Sequence, residues 1–83
     1  MGAYSNRKQR IILEALVNAR GSVPFREARK VLEMAGFKLD RISGSHHIFV
    51  NPNRPEIFIW PVRKGKVKSL YVRKAIKMLF PDL

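Results

Sequence analysis

Apolar residues change their spacing along the chain, and the changes divide it into helix, helix, three strands, helix. Ile11, Ile12, Ala15, Leu16 and Ala19 recur at the three- and four-residue steps of one helix face. Asn6 stands where a cap belongs, Gln9 completes a capping box, and Gly21 supplies a stop. The pattern predicts a helix over about 6–20. Pro24 suits the first turn of a second helix, in which Phe25, Ala28, Val31, Leu32 and Ala35 share a face and Gly36 ends the run. Arg26, Arg29 and Lys30 fall on the other side with Glu27 and Glu33 among them, as a solvated face does.

From Phe37 the period shortens. "FKLDRIS", "HHIFVN" and "EIFIWPV" are rich in β-branched and aromatic residues, and a Gly-Ser pair and "PNRP" separate them. They predict three antiparallel strands with tight connections. A closing helix runs from about Ser69 to Phe80 on Val72, Ala75, Ile76 and Leu79, and Pro81 stops it. So little chain cannot cover both faces of such a sheet, so the helices take one face and leave the other open. The expected class is α+β in one domain of 83 residues, without repeats or low-complexity segments.

Composition removes several function classes. There is no cysteine, which excludes disulfides and thiolate metal sites and makes a reducing cytoplasm the default. No apolar run could span a bilayer, and "MGAYSNRKQR" lacks the apolar stretch of a secretion signal. Charge adds a positive indication: 17 Lys and Arg stand against 6 Asp and Glu, a net +11. Between Glu56 and Asp82 there is no acid, yet Arg63, Lys64, Lys66, Lys68, Arg73, Lys74 and Lys77 all fall there. Such a field attracts polyanions through counterion release, so a nucleic acid or an acidic protein is the expected partner. A non-enzymatic module fits as well, either a plain RNA binder or a winged helix formed around "ARGSVPFREARKVLE". A membrane partner fits poorly, since no helix pairs bulky apolar anchors with a lysine face.

His46 and His47 are the only histidines. Neighbours on a strand point to opposite faces, so the two cannot form an acid–base pair or chelate one metal together. Ser45 and His46 are too close in sequence to make a nucleophile and its base. From spacing alone, a packed or exposed histidine pair is a better reading than a catalytic one. Parity groups His46 with Ile48 and Val50, and His47 with Phe49 and Asn51, which by apolarity would turn His46 towards the core.

The segment "AGFKLDRISGSHHIFVNP", Ala35 to Pro52, closely resembles the signature of the HicA toxins, small ribonucleases of type II toxin–antitoxin systems. Gly36, Phe37, Arg41, Gly44, Ser45, His46, Ile48, Phe49, Asn51 and Pro52 match in place, and Pro61, a Lys-rich loop and a basic last helix follow in order. The likeness covers about residues 25–80. The helix over 6–20 is extra, and "VRKGKVKSLYVRK" departs from the shortest members. The resemblance implies a fold like a double-stranded-RNA-binding domain, α-β-β-β-α, with a three-stranded antiparallel sheet. It also implies metal-independent cleavage of mRNA without any cofactor, with His46 as the one catalytic histidine. Gly44 would let backbone approach phosphate, Ser45 would add a hydrogen bond, and Arg41, Lys64, Lys66 and Lys68 would bind substrate. An acidic HicB-like antitoxin is the implied protein partner, docked over the active face. A reachable His46 requires Phe49 and Trp60 to pack against the helices and Ile48 and Val50 to lie on the open face.

Overall fold

A computed structural model describes residues 7–83, so Asn6 and the capping box predicted for it lie outside the described residues. The elements are α1 (Arg7–Val17), β1 (Ser22–Pro24), α2 (Phe25–Met34), β2 (Lys38–Ser43), β3 (His46–Asn51), β4 (Arg54–Pro61), β5 (Lys66–Lys68) and α3 (Ser69–Leu79). No described helix is long and apolar enough to cross a membrane.

The first helix is shorter than its pattern and rotated from it. Leu13 is fully buried with Ile12, Leu16 and Val17 half-buried, whereas Ile11 and Ala15 face solvent. Contact with α3 selects this face. Beyond Val17 the chain is held from α3, where the half-buried Arg73 guanidinium donates to the carbonyl of Ala19 at 2.8 Å. Arg73 is thus part of the frame rather than of a free basic surface.

Pro24 is not inside the second helix. It closes β1 with φ −54° and ψ 135°, and α2 starts one residue later. A lone three-residue strand is unstable, and β1 is held by a strand that the sequence pattern does not reveal: Ser22, Val23 and Pro24 pair antiparallel with Lys68, Val67 and Lys66 of β5. Both central valines are buried. This second, two-stranded sheet ties the Lys-rich segment to the start of α2.

At its other end α2 stops in a Schellman motif. Gly36 takes φ +87°, its N–H donates to Glu33 O at 3.0 Å, and the Phe37 N–H donates to Leu32 O at 2.9 Å. On the helix surface Arg29 pairs with Glu33 and Lys30 with Glu27, as the balanced charges predict.

β2, β3 and β4 form the main antiparallel sheet, with β3 central. Its register sorts the side chains into two faces. Leu39, Phe49 and Phe58 stand in one row and Ile42, His47 and Trp60 in the next, on the side the helices cover. Phe49 and Trp60 are buried there with rings 5.9 Å apart. The opposite face carries the rows Lys38, Val50, Ile57, then Arg41, Ile48, Ile59, then Ser43, His46, Pro61. Ile57 and Ile59 are 60% and 52% exposed, so this face is open. Of the two residues expected to be exposed there, however, Ile48 is buried at 8% by its neighbours in the ladder and Val50 is half-buried. A shortest dimension of 17 Å is that of one helix layer on one sheet. At the start of β4 both oxygens of Glu56 accept from Arg54 at 3.0 Å, which holds the Glu56 carboxyl below its ordinary range.

Candidate active site

The site grows from the β2–β3 turn. Gly44 and Ser45 are the two central residues of a hairpin closed by Ser43 and His46, and Gly44 takes φ +61°, the positive value this turn needs at its first position. No heavy atom lies within 4 Å of where a Gly44 Cβ would stand, so the backbone there is open to a ligand. The carbonyl of Ser45 accepts twice, from the Val62 N–H at 2.8 Å and from His47 Nδ1–H at 3.2 Å. A carbonyl only accepts, so the second bond assigns the His47 proton to Nδ1. These bonds fix the turn to the exit of β4.

The two histidines part company as strand parity requires. His47 turns to the helix side and is half-buried, its ring edge-on to Phe25 at 4.7 Å. Phe25 in turn carries the Arg29 guanidinium 5.5 Å from its ring centre. His46 is exposed on the open face, directly across the ladder from Pro61.

Pro61 leads from His46 to the basic segment. It borders a cleft of about 420 Å³ whose basic wall is Arg63, Lys64, Lys66 and Lys68. Tyr71 and Ser22 complete the lining. The wall is a tight hairpin in which Arg63 and Lys66 exchange two backbone bonds of 2.9 Å around Lys64 and Gly65. Both central residues have positive φ, +51° and +72°, as a type I′ turn requires. Two further bonds fasten the hairpin: Phe25 N–H donates to Gly65 O at 2.7 Å, and Ser69 N–H donates to Gly21 O at 2.9 Å.

Lys64, Lys66 and Lys68 line the cleft, whereas Gly44, Ser45 and His46 lie outside its lining and adjoin it through Pro61 and the Ser45–Val62 bond. Arg41 stands apart from the cleft. It lies on β2, on the far side of β3, and its guanidinium is 2.8 Å from Asp40. Trp60 is 2% exposed, so it belongs to the core and offers no contact to a partner. Arg63, Tyr71 and Ser22 join the site beyond the residues expected from sequence. Arg63 is legible as part of the charge run, whereas Ser22 and Tyr71 reach the cleft only through the β1–β5 pairing. Among the described residues no three His, Asp or Glu side chains come together as metal ligands.

A helix, three antiparallel strands and a second helix, with an exposed histidine beside a basic cleft, define a small α+β protein of the double-stranded-RNA-binding-domain type. Residues 25–79 match the family described as HicA toxin of bacterial toxin–antitoxin systems, and at that coverage the chain belongs to it. No curated protein and no solved structure gives a significant match. The chain is thus a toxin of a toxin–antitoxin system, which implies an antitoxin partner.

Proposed function

We propose that this toxin is a metal-independent endoribonuclease that cleaves mRNA in the cytoplasm, with His46 as its general base. The observation that carries the reading is the exposed imidazole one ladder step from a cleft with four cationic side chains. Imidazole accepts a proton near neutral pH. His46 takes the proton of a ribose 2′-OH, the 2′-oxygen attacks the adjacent phosphorus, and the bond from phosphorus to the 5′-oxygen breaks. The leaving oxygen collects a proton from a lysine or water, since His47 faces away. The products are a 2′,3′-cyclic phosphate and a 5′-hydroxyl. Lys64, Lys66 and Lys68 offset the charge that builds on the phosphorane. Gly44 and Ser45 offer backbone and a hydroxyl to the phosphate, and Arg41 meets the RNA backbone farther along the open face.

Control falls to an acidic HicB-like antitoxin that covers the open face. Ile57 and Ile59 form the exposed apolar patch there, with the half-buried Val50 beside them, Ile48 buried beneath and Lys38 and Arg41 at the edge. A winged-helix reading loses support, because α2 commits Arg29 and Lys30 to its own glutamates.

Incubation with single-stranded RNA in excess EDTA tests the mechanism. Cleavage is expected to persist, with cyclic-phosphate ends, and DNA of the same sequence is expected to stay intact for want of a 2′-OH. Strict dependence on a divalent ion, or binding without cleavage, would point to another activity.

A further inference from the structure

We infer that the Pro61–Tyr71 side of the basic cleft is a stacking subsite for one unpaired nucleobase of RNA. The inference rests on the ribonuclease reading above and deepens it, from a chain that attracts phosphate to one that selects a single-stranded nucleotide beside the scissile bond.

A site for phosphate alone needs only charge. This cleft sets the cations of Arg63, Lys64, Lys66 and Lys68 against two rings, Pro61 and Tyr71, and its volume of about 420 Å³ falls in the range of small-ligand pockets. That pairing of charge with an aromatic wall is what single-stranded nucleic acid requires, because the backbone is held by cations while a base lies on a ring. A base inside a duplex has both faces covered by its neighbours, so only an unpaired or splayed base can use such a wall.

The wall is also held in place. Tyr71 is half-buried against the core, in the first turns of α3. The facing hairpin is fastened by the bonds from Phe25 to Gly65 and from Ser69 to Gly21. The backbone of both walls is thus ordered before binding, which favours affinity. Ser22, fixed by its pairing with Lys68, brings a hydroxyl that can donate to or accept from a base edge. His46 lies directly across the ladder from Pro61, so a base in the cleft belongs to a nucleotide next to the one attacked.

The test uses the full chain carrying His46→Ala, which is expected to bind RNA without cutting it. Anisotropy is read with a labelled single-stranded RNA, with its duplex form, and with a series in which one abasic residue is moved through the strand. The expected result is a loss of affinity on the order of tenfold or more when the abasic residue occupies one particular position, the scale of one base–aromatic stack. Added Tyr71→Ala should cost about as much and abolish that position effect, whereas Tyr71→Phe, which keeps the ring, should preserve it. The abasic series is read with Tyr71 intact and does not depend on the alanine variant folding. Uniform small losses at every position, or equal affinity for the duplex, would overturn the subsite and leave a cleft for phosphate alone. Wild-type cleavage of the same RNA is scored separately. Cleavage without position dependence removes only the subsite, and binding without cleavage removes only the ribonuclease reading.

Discussion

Lys64 has φ +51°, the only described non-glycine residue in the left-handed region. That conformation costs an ordinary side chain about 1 kcal/mol or more, and Gly65 beside it shows what the turn prefers. If Lys64 serves the proposed site through its charge, its backbone strain is the cost of placing that charge at the rim of the cleft. Lys64→Gly is therefore expected to raise stability by about 1 kcal/mol in chemical denaturation. It should at the same time weaken RNA binding for all sequences and lower the salt slope by about one unit. A variant that loses stability would mean that the lysine side chain holds the hairpin by contacts of its own. At Gly44 the same positive φ is filled by glycine, and there the motif "SGSHH" makes the turn legible in the sequence itself.

At the scale of elements, a side-chain hydrogen bond fastens the hairpin β3–β4 to the end of α2. Asn51 is nearly buried, its Nδ2 donates to Ala35 O at 3.0 Å, and its Oδ1 accepts from the Asn53 N–H at 2.9 Å. A Cβ at Gly36 would stand 3.0 Å from that Nδ2. Asn51→Ala is expected to cost about 1–3 kcal/mol, since it strips a donor from one backbone group and an acceptor from another. Gly36→Ala should be at least as costly, combining positive φ with that close approach, and thermal melts of both variants check the pair. The main elements are legible in the sequence because their periods differ and Gly or Pro punctuates them. β1 and β5 are not, because three residues carry too little pattern: "SVP" and "KVK" become strands only when each buries its valine against the other. The buried face of α1 is hidden for a related reason. Ile11, Ile12, Ala15 and Leu16 fit helical spacing as well as Leu13, Leu16 and Val17 do, and only packing against α3 decides. In β3 apolarity alone favours the face of Ile48 and Val50 for the core and so would turn His46 inward, whereas the structure turns His47 and Phe49 to the helices. The large rings of Phe49 and Trp60 fill the core under the helices, and the smaller Ile48 and Val50 take the other face, Ile48 buried and Val50 half-buried.

The whole molecule is flat and strongly basic, 36 × 30 × 17 Å with a net charge of +11. An acidic antitoxin should associate quickly, at a rate that falls steeply as salt rises. Lys64→Glu with Lys68→Glu should then slow antitoxin capture and also weaken RNA binding, if both partners use one field. If the antitoxin covers the open face, it and a non-cleavable RNA should compete for His46→Ala protein. Simultaneous binding without mutual loss of affinity would contradict masking and make inhibition indirect.

The central claim is that His46, and not His47, performs the chemistry, and single-turnover cleavage of one single-stranded RNA tests it most directly. A general base contributes about 10²–10⁴ in rate. The account predicts a loss of that size for His46→Ala with an unchanged circular dichroism spectrum. His47→Ala should retain the rate while losing about 1 kcal/mol of stability, because its ring is removed from the edge-on contact with Phe25. A loss below tenfold at His46, or the larger loss at His47, would contradict the assignment.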